Sequence, residues 1–440
     1  MPETSEPQET PRLQPRLGVF GAMMMGLGSI VGTGVFVSIG IAAGIAGPSV
    51  ILAVALAALV AICNGLSSAQ LAANHPVSGG TYEYGYQYLN SWLGFTAGWM
   101  FLLAKSASAA TAALGFSGYL LSAMGGSSSF EKPVALAAVG VLTLFVLGGI
   151  HRSHVVNVVI VSATLFALAF FVATGLPMIS RENLTPFFPI DRDEGAPLAA
   201  LFHATALMFV AYTGYGRIAT LGEEVREPHR TIPKAIILTL LVSMVLYLAV
   251  AIVGVGAVGS GLLSSGGDGA TGAQPAPLAV AALQFRFPLS SQIVAIGAIT
   301  AMLGVLLNLI LGLSRVLLAM GRRRDMPGFF AALNPSKTTP VSSVVMMGAA
   351  IAGLVLIGNV KTTWSFSAFT VLLYYAITNL AALRIPQQKR LYPAWIAGLG
   401  VIFCLFLAFW VERETWLVGL GLVLLGLCWH AIAKWRRKSP

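Results

Sequence analysis

The stretch GLGSIVGTGVF, residues 26–36, decides how this chain folds. It sets four glycines, at positions 26, 28, 32 and 34, inside an apolar run that covers residues 17–44. Glycine destabilises a helix by ~1 kcal/mol relative to alanine, so we expect a helix here to unwind near its centre. Unwound ends expose N–H and C=O groups, and these can bind the two charged ends of a small ligand.

The composition of the whole chain places that run in a membrane. Of 440 residues, 57% are hydrophobic and only 10% are charged, and the mean hydropathy is +0.82. So few charges cannot cover the surface of a soluble protein of this size. This excludes a soluble enzyme and a nucleic-acid partner. The three cysteines lie in apolar runs without metal-ligand spacing, so we expect no metal site and no cofactor.

Twelve runs are long and apolar enough to cross a bilayer as helices. They cover residues 17–44, 49–73, 92–123, 134–150, 155–179, 198–221, 232–258, 290–320, 341–357, 364–383, 393–410 and 416–433. Most of the 26 lysines and arginines fall in loops on the side of the amino terminus. Basic loops stay in the cytoplasm, which predicts a multi-pass protein of a plasma or bacterial inner membrane with both termini cytoplasmic. The basic segment 434–438 is expected to lie against anionic membrane lipid.

A second glycine-bearing stretch, FVAYTGYGR at residues 209–217, interrupts the sixth run with Gly214 and Gly216. It comes five spans after the first interruption and is entered from the opposite side, as in transporters built from inverted repeats. The alternative is that the glycines only let helices pack closely, for which Gly28 and Gly32 have the right spacing. Together the two stretches favour a transporter.

Four stretches, in their order and spacing, resemble the amino acid, polyamine and organocation permeases. They are GSIVGTGVF in the first span and residues 75–99, 209–236 and 314–327. The resemblance implies an all-α integral membrane protein of twelve transmembrane helices. Its core would be a 5+5 inverted repeat with broken helices 1 and 6, followed by two extra C-terminal helices. It also implies secondary active transport of amino acids by alternating access, coupled to protons or by exchange.

On this plan the chain has five parts. They are a disordered cytoplasmic tail (1–16), a first repeat of helices 1–5 (17–196), a second repeat of helices 6–10 (197–390), helices 11 and 12 (391–434) and a basic cytoplasmic tail (435–440).

The resemblance further implies a substrate site at the two interruptions. The substrate carboxylate would meet the backbone N–H groups and hydroxyl of the first, and the ammonium would meet carbonyls of both. The implied residues are Ile30, Gly32, Thr33, Gly34, Phe209, Val210, Ala211 and Tyr212. Many of these permeases have a large aromatic residue where this chain has Val210, so Phe209 and Tyr212 are the aromatic gate candidates.

Lys105 stands about twelve residues into the third span, beside small and hydroxyl-bearing residues. In many of the permeases that this sequence resembles, a lysine of the fifth span replaces a sodium ion, but here Thr164 takes that position. Our hypothesis is that Lys105 supplies the internal cation, and that desolvation lets it bind and release a proton. The alternative is a lysine that is permanently charged or reaches towards the interface.

Three further residues are candidates for coupling or gating. Arg217 follows the sixth-span interruption and would pair with Glu223 or Glu224, or else lie at the interface. Thr300 and Asn308 are polar residues of the eighth span that could face a cavity. With first-span carbonyls, Thr300 would serve the runner-up function, a sodium-coupled carrier of the same fold.

Two alternatives come from other classes, a channel and a membrane-embedded enzyme. The enzyme is disfavoured because no paired catalytic side chains lie at membrane depth. The sequence leaves the substrate's charge open: a charged Lys105 would disfavour cationic amino acids, and a neutral one would not.

Overall fold

The computed structural model of the chain describes residues 17–77, 79–148, 154–188, 197–220, 225–265, 276–334 and 339–438. Apart from one parallel bridge between Leu17 and Val225, regular structure in these ranges is helical. The predicted tail 1–16 lies outside the described residues, and so do Glu223 and Glu224.

Sixteen α-helices follow one another along the described chain. They are α1 (Val19–Ile30), α2 (Ile39–Ala46), α3 (Val50–Asn74), α4 (Thr81–Tyr88), α5 (Ser91–Met124), α6 (Glu131–Leu147), α7 (His154–Gly175), α8 (Pro197–Tyr212), α9 (Gly216–Ala219), α10 (Pro228–Ser265), α11 (Pro277–Ala282), α12 (Ser290–Arg322), α13 (Val341–Ile357), α14 (Val360–Leu383), α15 (Ala394–Ala408) and α16 (Arg413–Lys438).

Within the described residues, nine helical stretches are long and apolar enough to cross a membrane. One of them, Val19–Asn74, contains the first two predicted spans, and α13 and α15 are shorter apolar helices. Each predicted span therefore overlaps a helix. Because α16 continues to Lys438, most of the basic segment predicted as a tail is helical. The prediction of an all-α, multi-pass membrane protein is confirmed.

The first span is broken where its glycines cluster. Helix α1 ends at Ile30, residues 31–33 are not helical, and a π-helical turn, Gly34–Ser38, leads into α2. Val31 has an extended backbone, with ψ of 95°. The predicted interruption of this span is thus present, and it leaves backbone N–H groups without helical partners.

The sixth span is interrupted more tightly than the glycines predict. Helix α8 ends at Tyr212, a 3₁₀ turn covers Thr213–Tyr215, and α9 begins at Gly216. The residues that flank the turn keep right-handed helical angles, so the helix tightens into a 3₁₀ turn here and does not unwind. Seventh-span helix α10 lies close to this turn, and the hydroxyl of its Tyr247 is 3.3 Å from the carbonyl of Ala211.

Helix α5 lies at the centre of the bundle and packs against α12 and α14. Two hydroxyl pairs join it to α14: Ser108 with Ser367 at 2.7 Å, and Thr111 with Thr363 at 2.8 Å. Small and hydroxyl-bearing residues let membrane helices approach closely and hydrogen-bond across the contact. This packing fixes the position of Lys105, which lies on the same helix.

We call the end of the bundle where α12 ends at Arg322, next to Arg323, the basic end. A buried carboxylate, Asp325, organises it by accepting hydrogen bonds from the hydroxyls of Tyr82 and Tyr86, both at 2.6 Å. Burial, and then the neighbouring Asp325, raise the pKa of the Tyr82 hydroxyl.

The last helix is attached to the same buried carboxylate residue. The indole of Trp429 donates to the Asp325 carbonyl at 2.9 Å, and Nδ1 of His430 lies 3.6 Å from the Asp325 carboxylate. The His430 ring also stacks on Phe95 of α5, with 4.6 Å between centroids. Asp325 therefore joins α4, the end of α12 and α16 at the basic end.

Candidate functional site

The two interrupted spans touch each other at their glycines. A Cβ atom added at Gly214 would lie 2.6 Å from the backbone nitrogen of Ile30 and closer still to the carbonyl of Ser29. A Cβ added at Gly34 would lie 2.7 Å from the Cα of Ala211. Any side chain at these two glycines would force the backbones apart, because carbon atoms normally pack at about 3.5–4.0 Å.

A cavity of about 500 Å³ begins at this contact and extends to the basic end. Ser29, Lys105, Thr213 and Gly214 line its deep part, and its mouth includes Glu83, Arg322 and Arg323. Its volume is in the range of small-molecule sites in proteins.

A smaller cavity of about 40 Å³ adjoins the deep part of the first. The two share Ser29, Lys105, Thr213, Gly214, Val305 and Leu309. The smaller one also reaches Thr33 and Gly34 of the first span, Val210 and Ala211 of the sixth, and Trp364 of α14. The deep end of the larger cavity therefore coincides with the predicted site.

Five of the eight predicted substrate residues line the smaller cavity: Ile30, Thr33, Gly34, Val210 and Ala211. Gly32 lies beside it, packed on the side chain of Val305 at a separation that leaves no room for a Cβ atom. The structure thus brings the first-span residues and part of the sixth-span set together.

The two aromatic gate candidates lie elsewhere. The ring of Phe209 packs on Tyr375, with 5.7 Å between centroids, and Tyr212 packs on Tyr247 at 5.0 Å. Neither lines the cavities. The aromatic side chain beside Val210 is Trp364, whose indole donates to the carbonyl of Leu207 at 3.0 Å. Sequence reasoning missed Trp364 because it stands more than 150 residues from the sixth-span interruption.

Protein hydroxyls already occupy several carbonyls at the interruptions. Tyr247 donates to the carbonyl of Ile30 at 2.7 Å, Thr213 donates to that of Val210 at 2.8 Å, and Tyr375 donates to that of Thr213 at 3.1 Å. A carbonyl oxygen has two lone pairs, so each can still accept a hydrogen bond from a bound ammonium. Tyr247 and Tyr375 were not predicted, since each lies in an apolar helix without a local signal.

The first-span interruption offers donors. The N–H groups of Gly32 and Thr33 make no hydrogen bond within the described chain. The Thr33 hydroxyl is buried and, within the same ranges, has no partner. Buried polar groups are normally satisfied, and free N–H groups at the start of a helical segment attract anions. This part of the site is therefore suited to a carboxylate.

Lys105 reaches the same place from α5. It is buried, and its Nζ donates a hydrogen bond of 2.9 Å to the hydroxyl of Thr213 in the 3₁₀ turn. Glu83 is the one carboxylate among the described residues that line the two cavities; it lies at the mouth and pairs with Arg323. The ammonium of Lys105 therefore lacks an acidic neighbour in the cavity's deep part.

Helix α7 does not supply a cation to the first span. The hydroxyl of Thr164 donates to the carbonyl of Ile160 in its own helix. The contact with α1 is instead made by Asn157, whose side-chain amide donates to the Met24 carbonyl at 2.9 Å. Asn157 was not among the predicted residues.

The other three coupling and gating candidates differ in position. Arg217 and Asn308 line the large cavity, and the amide nitrogen of Asn308 is buried without a partner in the described chain. The predicted partners of Arg217, Glu223 and Glu224, lie outside the described residues. Thr300 lines neither cavity, because its hydroxyl turns back to the carbonyls of Ile296 and Gly297 in α12.

The end of the bundle opposite the basic end is closed over the site. The buried Tyr119 hydroxyl donates to the carbonyl of Phe36 at 2.7 Å and accepts from the N–H of Leu278 at 3.2 Å. This joins α5, the first span and α11. Among the described residues, the lining of the larger cavity reaches the basic end and does not include this contact.

Comparisons with known proteins show the family to which the chain belongs. The sequence model of the family described as "Amino acid permease" matches residues 21–439. An uncharacterised transporter of Mycobacterium tuberculosis is 36% identical over 430 residues, which cover 98% of this chain and 94% of the relative. The branched-chain amino acid permease BcaP of Bacillus subtilis is 30% identical, over 94% of this chain and 92% of the relative. Cationic amino acid transporter 7 of Arabidopsis thaliana is 27% identical, over 82% and 64%. The chain therefore belongs to the amino acid permease family, and it is a membrane transporter of amino acids rather than an enzyme.

Proposed function

We propose that the protein is a secondary active transporter that moves an amino acid across a plasma or bacterial inner membrane by alternating access. Twelve crossings in two inverted repeats of five, plus two further helices, would place both termini and the basic end in the cytoplasm. The distribution of basic residues supports this orientation. In that orientation the cavity opens inward, while the contact through Tyr119 closes the outer side.

The observation that carries the proposal is that Lys105 and residues of both interrupted spans line the same small cavity. The substrate carboxylate would bind the free N–H groups of Gly32 and Thr33, and its ammonium would bind carbonyls of Ile30 and Val210. Oppositely polarised groups at broken helices suit the two charged ends of an amino acid.

Lys105 would couple this binding to a proton. Its hydrogen bond to Thr213 joins α5 to the sixth-span interruption, so a change in its charge alters the contact between moving parts. A charged amine in a dry cavity is costly and a neutral one is not. The amine therefore gains a proton when the cavity is wet or holds an anion, and loses it otherwise. Among the described residues, the other ionisable groups around the cavity are Glu83, Arg217, Arg315, Arg322, Arg323 and Tyr374.

The alternatives have less support. A sodium site built on Thr300 needs a hydroxyl that faces the first span, and this hydroxyl is bonded within α12. A channel needs a path open at both ends, and Tyr119 closes one. Amino acids are named for the relatives from Bacillus subtilis and Arabidopsis thaliana, and this favours an amino acid as the substrate here.

The test is uptake of radiolabelled amino acids into reconstituted vesicles at several pH values, with Lys105→Ala and Lys105→Arg. We expect both variants to lose the pH dependence of uptake, because alanine cannot hold a proton and arginine does not release one. Lys132→Ala is the control, since Lys132 bonds the carbonyl of Leu356 outside the site. Full pH dependence in both Lys105 variants contradicts proton coupling through Lys105. A loss of uptake when choline replaces sodium supports the sodium-coupled alternative.

A further inference from the structure

Among the described residues that line the large cavity, nearly all of the charged side chains are positive. Its basic residues are Lys105, Arg217, Arg315, Arg322 and Arg323, against the single carboxylate of Glu83 among the described lining residues. Arg323 pairs with that carboxylate. Retention of basic residues on the cytoplasmic side explains the three arginines of α12 and its end. It does not explain Lys105, which is buried at the junction of the two interrupted spans.

At the junction of the two interrupted spans, the polar groups that lack a partner are hydrogen-bond donors, which also favours an anionic ligand. Carbonyls that face it already accept from Tyr247, Thr213 and Tyr375. Donors are left over: the hydroxyl of Thr33 and the amide nitrogen of Asn308 are buried without partners in the described chain. Each of these carbonyls can still accept one more hydrogen bond, whereas the buried donors have no partner at all, so the unmet need of the site is for acceptors from a ligand.

We infer that the transported amino acid carries a second carboxylate on its side chain, and that this carboxylate pairs with Lys105. The inference rests on the proposed function and specifies its substrate class. The α-carboxylate occupies the N–H groups of Gly32 and Thr33, and the side-chain carboxylate reaches across the cavity to the ammonium on α5. Asn308, which lines the same cavity, supplies a further donor.

Charge balance gives this substrate an advantage over neutral and basic amino acids. A buried ammonium without a counter-ion is unfavourable, and a ligand that brings the counter-ion removes that cost. A basic side chain would instead add a positive charge beside Lys105, and like charges in a desolvated site repel strongly. A neutral side chain brings no counter-ion, so Lys105 either keeps an uncompensated charge or loses its proton, and no charge pair forms in either case.

The experiment compares each acidic amino acid with its own amide, which has nearly the same shape. Binding to the purified protein and uptake into vesicles are measured for glutamate, glutamine, aspartate, asparagine, leucine and arginine. We expect one acid to bind at least about tenfold more tightly than its amide, as for a desolvated charge pair. Lys105→Gln should bring this ratio close to one, and Lys105→Arg should keep most of it. Lys132→Gln, altered outside the site, should leave the ratio unchanged.

The possible results distinguish a wrong substrate class from a wrong proposed function. If a neutral or basic amino acid binds as well as the acids do in the unaltered protein, the inference is overturned and amino acid transport stands. If none of the standard amino acids binds or is taken up, the proposed function fails and the inference fails with it. The ratio in the unaltered protein decides the matter even where Lys105→Gln does not fold.

Discussion

Replacement of Gly214 by alanine tests the contact on which the site is built. The added methyl would lie 2.6 Å from the nitrogen of Ile30 and even nearer to the carbonyl of Ser29. Both neighbours are backbone atoms, so no side chain can rotate to make room. Relief requires a separation of about 1 Å between the first and sixth spans, given normal carbon contacts.

The expected cost follows from two opposing terms. Alanine favours a helix over glycine by up to ~1 kcal/mol. Overpacking in a close-packed interior costs ~1–3 kcal/mol, and more where the backbone must move. The second term wins, and we expect Gly214→Ala to lower the free energy of unfolding by ~1–2 kcal/mol. The same strain disfavours the close contact of the two spans that forms the site, so we expect uptake to fall by about tenfold, since 1.4 kcal/mol corresponds to a factor of ten.

Two other glycines provide matched controls. A Cβ at Gly216, two residues further on, would come no closer than 3.2 Å, to the hydroxyl of Tyr375. A Cβ at Gly140 on α6 would have no neighbour within 4 Å. Thermal unfolding in detergent and uptake into vesicles should therefore rank Gly214→Ala far below Gly216→Ala, with Gly140→Ala at or above the unaltered protein. Equal behaviour of the three variants would refute the close contact of the two spans.

Three further predictions concern the two ends of the bundle. Tyr119→Phe removes both hydrogen bonds of the outer closure, about 1–3 kcal/mol together, and should raise the outward-open population by about 5- to 150-fold. A cysteine placed at Thr363 in a background without the native cysteines should then react faster with an impermeant maleimide. Asp325→Ala leaves the hydroxyls of Tyr82 and Tyr86 without their acceptor and should cost about 2–5 kcal/mol of stability, measured by thermal unfolding, whereas Asp325→Asn should cost less. Folding raises the pKa of the Tyr82 hydroxyl. The protonated hydroxyl therefore contributes its full stabilisation below the unfolded pKa of about 10, and this stabilisation is lost as the pH rises through the folded pKa. Tyr82→Phe should flatten the fall of stability at alkaline pH, and an unchanged slope of stability against pH would contradict this assignment.

The site was predictable from sequence where chemistry follows from local pattern. The glycines between positions 26 and 34 indicated the broken first span, and the break lies at residues 31–33. Lys105 was identified because a basic residue in the middle of an apolar run needs a function, and it lies at the junction of the two spans. Neither conclusion needed a partner elsewhere in the chain.

The direction of a side chain depends on the other helices and does not follow from local pattern. Phe209 and Tyr212 were predicted site residues and aromatic gate candidates, yet their rings pack on Tyr375 and Tyr247 and line neither cavity. Neighbours on a helix point in directions about 100° apart, and the face that meets the cavity is set by packing. Thr300 turns back to its own helix for the same reason, although Asn308, two turns further along α12, lines the cavity.

The sequence by itself determined the solvent in which this chain folds, its run of helices, the interrupted first span and one buried lysine. These follow from hydropathy and from the backbone preferences of glycine, which act over short distances. Only the tertiary structure decided which polar groups remain free. Hydroxyls from α10 and α14 donate to carbonyls at the interruptions, while the N–H groups of Gly32 and Thr33 have no partner in the described chain and Lys105 lines the cavity. Whether a group is free depends on every helix packed around it, and so the charge preference of the site emerges only when the bundle is assembled.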